Sequence, residues 1–207
     1  MVADSRAEAL ETVAVEGSGG SSTRARIVRV AAELFAARGY DATGIADLLS
    51  AAQISRGAFY YHIDSKETLL FEISKAQVDN MNAVARIIAA ESGSAENKVR
   101  TMARSLIRNI SDHRAEWAVF FRELPALTGE RRTEILAARD EYEAYWLHVI
   151  QEGAENSEFM PVTPLHVKGI LGMLNYTYLW IDPHGKFSPE ELADTFTGLL
   201  LNGLLKK

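Results

Sequence analysis

Between Arg26 and Leu69, apolar residues recur at helical spacing in three short runs, each closed by turn chemistry, and so short a set of helices has few ways to bury itself. Thr23 can cap a first helix to about Arg38, with Ile27, Val30, Ala31, Leu34 and Phe35 on one face and Gly39 as its stop. A second helix follows Thr43 and carries Ile45, Leu48 and Leu49. A third follows Ser55, carries Ala58 and Phe59, and reaches Ile63 at its end. Asp64 or Ser65, with Glu67 behind, caps a fourth and longer helix to about Ala90. Leu34, Phe35, Leu48, Ile54 and Phe59 are the expected core of this stretch.

Helical patterns continue to the end, over 96–112, 114–124, 129–155, 164–181 and 188–205. Pro125, Gly129, the Pro161 and Pro164 pair and the DPHG run at 182–185 divide them. Alternating β-branched runs with hairpin turns are lacking, so the expected fold is all-α. The expected organisation is a disordered tail over 1–22, ending in EGSGGSS, then an N-terminal three-helix helix-turn-helix domain over 23–72. A C-terminal helical bundle is expected over 73–207.

Charge is distributed unevenly. The net charge is -6, but residues 1–22 carry -3, residues 23–75 carry +1 and residues 76–207 carry -4. The small basic excess therefore coincides with the helix-turn-helix, where pairing of two chains would double the phosphate contacts. With no cysteine there is no disulfide, thiol chemistry or thiolate metal site. No apolar run approaches bilayer length, and the N-terminus lacks a basic segment followed by an apolar core, so a cytoplasmic protein without a membrane partner is expected.

A helix-turn-helix presents the N-terminal residues of its second helix to the major groove. Here that helix begins at Ser55. Arg56 is its one long cationic side chain and can bond guanine through O6 and N7. Gly57 and Ala58 permit close approach. Tyr60 and Tyr61 can pack on sugars and donate hydroxyls to phosphates, although Tyr61 can equally be core. His62 suits a helix end facing phosphate, and Lys66 and Thr43 are phosphate candidates at the starts of their helices.

The pieces AAELFAARGYDAT (31–43), SRGAFYYH (55–62) and SKETL (65–69) resemble the DNA-binding domain of the TetR family of bacterial transcriptional regulators. The resemblance implies operator reading by Ser55, Arg56, Gly57, Tyr60 and Tyr61, with phosphate contacts at Thr43, His62 and Lys66. It also implies a small-molecule effector that releases the DNA, while a homodimer on an inverted repeat is expected because readers with one short recognition helix usually need two-fold pairing. Three positions depart from the family pattern. Gly44 stands where Ser or Thr is common, Gln53 where the tight turn usually has Gly, and Ile63 where Phe is usual.

Aromatic residues concentrate in the C-terminal part, where they can fill a core or line an apolar pocket. Trp117, Phe121, Tyr142, Trp146, Asn175 and Tyr178 are the candidate effector residues. The run NYTYLWIDPHGKFSPEE (175–191) is similar to family members that respond to acyl-CoA thioesters or other lipophilic molecules. Arg100, Arg104 and Arg108 form an i, i+4, i+8 stripe that suits either coenzyme A phosphates or a salt-bridged surface. Two leucine-rich sets are the expected pairing surface: Leu165, Ile170, Leu171, Leu174 and Leu179, and Leu192, Phe196, Leu199, Leu200, Leu204 and Leu205. Gly169, Gly172 and Gly198 would let helices approach there.

An enzyme is the competing class. Yet the five His show no metal-ligand spacing, and there is no phosphate-cradling Gly loop, no G-x-S-x-G and no Cys nucleophile. No catalytic residue, metal site or cofactor is expected. An activator with the same DNA contacts remains open beside a repressor.

Overall fold

The computed structural model describes residues 23–204. The expected tail and Leu205 lie outside them. Among the described residues the architecture is wholly helical, without a strand. In chain order the helices are α1 (Thr23–Arg38), α2 (Ile45–Ala52), α3 (Arg56–His62), α4 (Lys66–Ala90), α5 (Ala95–Asp112), α6 (Arg114–Glu123), α7 (Gly129–Glu155), α8 (Pro164–Asn175) and α9 (Pro189–Leu204). Short 3-10 turns follow α6 at Leu124–Ala126 and α8 at Tyr176–Leu179. Within those residues no helix is long and apolar enough to cross a membrane.

Two compact units emerge. The first takes the residues up to Asn80 and Ala115–Ala137; the second takes Met81–Arg114 and those from Ala138 onward. In the first unit α1 packs on α2 and α3. Ile27, Val30, Ala31 and Phe35 are buried at helical spacing, joined by Leu48, Phe59 and Ile63. Leu34 and Ile54 are half-buried rather than core. Gly39 ends α1 at φ +90, a conformation that costs residues with a Cβ, and its N–H returns to the Phe35 carbonyl at 2.9 Å. Arg122, late in α6, donates to the Ala36 carbonyl at 2.5 Å and so holds α6 to the last turn of α1.

In the second unit α5 is the central packing element. Its buried Val99, Met102, Ala103, Leu106, Ile107 and Ile110 repeat every three to four residues, and α9 lies along it. Ser94 caps α5 through the Asn97 N–H, and the Glu158 carboxylate accepts from the Ala95 and Glu96 N–H groups, as suits the positive end of a helix. Close packing at Gly153 leaves no space for a Cβ, which would collide with the Phe159 ring and Ala95.

The arginine stripe is a salt-bridged surface. Arg100 pairs with Glu96 one turn back, Arg104 makes a bidentate pair with Asp194 at 2.6 and 2.9 Å, and Arg108 pairs with Glu190. The Arg104 guanidinium holds the Asp194 carboxyl below the usual carboxylate range. The helix expected over 164–181 instead stops at Asn175 and tightens to 3-10, with the Thr177 hydroxyl donating to the Leu174 carbonyl at 2.7 Å.

The two leucine sets divide. Ile170, Leu171, Leu174 and Leu204 are buried in their own unit, whereas Leu165, Leu179 and Leu199 are 75%, 44% and 64% exposed. The helical period explains the division, since Val167, Ile170, Leu171 and Leu174 share one face while Leu165, Gly169, Gly172 and Tyr176 share the other. A Cβ built at Gly169, Gly172 or Gly198 meets nothing within 4 Å.

Candidate nucleic-acid interface

The α2–α3 corner is built by local hydrogen bonds. Gly44 has no side chain to cap α2, but its N–H donates to the Asp47 carboxylate at 2.9 Å, so one helix-start bond survives the departure from Ser or Thr. Gln53 closes α2 in the left-handed region at φ 53, ψ 50. The N–H of Gln53 reaches the Ser50 carbonyl, and that of Ile54 reaches Leu49. The family's glycine turn is therefore kept with a residue that carries a Cβ, at a cost of about 1 kcal/mol. Gln53→Gly should raise stability by roughly that amount in urea unfolding, and an unchanged or lowered midpoint would refute the strain.

Ser55 caps α3, its Oγ accepting the Ala58 N–H at 3.1 Å. Phe59 and Ile63 anchor the inner face at 0% and 1% exposure. The outer face carries Arg56 and Tyr60, one turn apart, beside Gly57 and Tyr61, also one turn apart, all exposed. Tyr61, at 84% exposure, is not core. Half-buried His62 meets the Tyr61 ring edge-on at 4.9 Å. Ser55, Arg56, Gly57, Tyr60 and Tyr61 thus form one solvent-facing surface at the start and outer side of a helix, with half-buried His62 at its end, which is what groove entry requires.

Thr43 and Lys66 are placed differently. Thr43 is buried, and its hydroxyl donates to the Gly39 carbonyl at 2.8 Å. The Lys66 ammonium donates to the carbonyls of Tyr40 (2.8 Å) and Thr43 (3.1 Å) and lies over the Tyr40 ring at 4.1 Å. Both residues hold the α1–α2 turn in place, and Lys66 keeps one of its three donors for an outside oxygen. Burial raises the Tyr40 pKa, with Glu67 and Asp41 adding to the rise. The signal for this clamp was the turn between Gly39 and Thr43, whose free carbonyls need donors.

The candidate effector residues fall in two groups. In the first unit Trp117 stacks on Phe121 at 5.4 Å, with Phe120 edge-on to both. In the second, Tyr142 meets Trp146 edge-on at 6.4 Å, both buried, while Asn175 and Tyr178 are half-buried.

The comparison with known families accounts for both parts of the chain. The model of the tetR family of bacterial regulatory proteins matches residues 27–73, and that of the tetracyclin repressor-like C-terminal domain matches 92–204. The chain belongs to the TetR family. It is a ligand-responsive DNA-binding repressor and not an enzyme. The HTH-type transcriptional repressor KstR2 of Rhodococcus jostii RHA1 is 27% identical over 90% of this chain and 93% of its own length. The crystal structure of the TetR-family regulator PfmR from Thermus thermophilus is 29% identical and superposes with a TM-score of 0.81, covering 87% of this chain and all of that one. AibR, solved with isovaleryl coenzyme A and operator DNA, is 26% identical with a TM-score of 0.78, covering 87% and 98%.

Proposed function

We propose that this TetR-family protein is a cytoplasmic homodimer that binds an inverted-repeat operator through α3 and leaves it when a lipophilic effector binds, an acyl-CoA thioester in the leading case. The exposed α3 surface carries the proposal. Arg56 reads guanine, Gly57 permits approach, and Ser55, Tyr60, Tyr61 and His62 meet backbone and sugars. Lys66 reaches phosphate with its remaining donor, and Thr43 supports the turn from inside. Residues 23–72 serve DNA, and those beyond serve the effector and the partner copy.

Acyl-CoA is favoured by the likeness to AibR, solved with isovaleryl coenzyme A. Of the candidate residues, Tyr142, Trp146, Asn175 and Tyr178, all in the second unit, supply apolar and polar surface for such a ligand. By linkage, the effector must bind the DNA-incompetent state more tightly, by roughly 5.5 kcal/mol for a shift from 1:99 to 99:1. The test is retardation of DNA from upstream of the protein's own coding region, with isovaleryl-CoA and longer acyl-CoA thioesters added. Release by an acyl-CoA, with free coenzyme A inert, is expected; a complex indifferent to every thioester would overturn the acyl-CoA reading.

Leu165, Leu179 and Leu199, with the open Gly169 and Gly172, give α8 and α9 an exposed apolar face suited to a second copy. Leu165→Glu combined with Leu199→Glu should yield monomers in sedimentation. Each change alters exposed positions, worth within about 0.5 kcal/mol of monomer stability. A persistent dimer would place the interface elsewhere.

A further inference from the structure

The second unit buries polar atoms that its own fold leaves unanswered. Trp146 is fully buried, yet its indole Nε1–H has no hydrogen-bond partner. Asn82, 8% exposed, donates through Nδ2 to the Ala138 carbonyl at 2.9 Å, while its Oδ1 has none. Ala138, Tyr142 and Trp146 follow one another at i, i+4, i+8 and so share a face of α7, and the Asn82 bond brings α4 against the start of that face. Tyr142 occupies the interval. Burial pushes its phenol pKa well up, and the neighbouring Trp146 indole offsets part of that rise without a hydrogen bond of normal geometry. The phenol is therefore neutral, able to donate or accept.

Folded proteins rarely leave a buried donor and a buried acceptor unpaired, so each such group calls for a partner. Here the two lie on neighbouring helices beside a neutral phenol. Charge is absent from this face: the Lys98 ammonium is held by Glu152 at 2.8 Å and by the Ala89 carbonyl, and Arg86 is exposed. A carboxylate buried there would lack a counter-ion, which is far costlier than an uncharged group.

We infer that Trp146 Nε1, Asn82 Oδ1 and the Tyr142 hydroxyl are the polar contacts of the effector site, and that they select an apolar molecule bearing an uncharged group that both donates and accepts, a hydroxyl or an amide, over a carboxylate. The inference rests on the ligand-responsive reading above and gives its site a chemistry. A coenzyme A ester fits it through an amide of its pantetheine arm.

The test uses the full-length protein, 1-octanol and octanoate. Nitrogen-15 labelling reports the indole N–H groups of the three Trp, and Trp117→Phe and Trp180→Phe assign the remaining peak to Trp146. Octanol should move the Trp146 resonance downfield and bind about tenfold more tightly than octanoate, and Trp146→Phe should remove about that factor from octanol alone. Octanoate binding as well as octanol, no octanol binding, or a Trp146 peak that octanol leaves in place would each overturn the inference. Retardation of operator DNA by the same samples separates the two readings: if acyl-CoA release persists while the octanol preference fails, only the site chemistry falls.

Discussion

Arg56→Ala is expected to abolish specific operator binding while leaving weak, salt-sensitive association with any duplex. Arg56 is the one long cation on α3, is exposed, and stands one turn before Tyr60 on the outer face. A bidentate arginine–guanine pair discriminates by about 1–3 kcal/mol, and a two-fold dimer loses it twice. The loss should therefore be roughly 30-fold to more than 10³-fold, measured by titration at fixed salt against operator and scrambled DNA. Unfolding should be unchanged, because Arg56 lies outside the core formed by Phe59 and Ile63. Specific binding that survived the substitution would remove α3 from base reading.

The largest stability effect is expected at an ion pair in the second unit whose lysine is buried and whose glutamate side chain is 28% exposed. Lys98, with 7% of its side chain exposed, bonds both oxygens of Glu152 at 2.8 and 2.9 Å. Glu152→Ala leaves the ammonium with only the Ala89 carbonyl, and should cost about 3 kcal/mol in urea unfolding. Replacing both residues, Lys98→Met with Glu152→Leu, should restore most of that loss, because no charge is then left without a partner. A single variant as stable as the native protein, or a double variant worse than the single, would show that the pair is not a desolvated one.

Local chemistry was legible in the sequence, and distant pairing was not. Gly39, Ser55 and Ser65 act within a few residues, and their caps and stops fall where the pattern predicts. The face of Tyr61 follows from the period, since Phe59 and Ile63 claim the opposite side of α3. Thr43 and Lys66 were expected to face phosphate because helix starts attract anions. The inward use of Lys66 depends on the turn folding back to carbonyls 23 and 26 residues away. Arg104 reads the same in sequence whether it awaits a phosphate or an acid, and Asp194 lies 90 residues on. Among the leucines of α8 and α9, composition marked an apolar surface, but only packing on α5 decided which members were consumed within the chain.

Selection of DNA from a random duplex pool by the full-length protein tests the central claim most directly, because it does not presuppose where the operator lies. Enrichment is expected of an inverted repeat whose half-site centres lie about one helical turn or a multiple apart, with guanine favoured at one position of each half and that preference lost in Arg56→Ala. Failure to enrich any sequence at low salt, or enrichment that Arg56→Ala leaves unaltered, would contradict that claim.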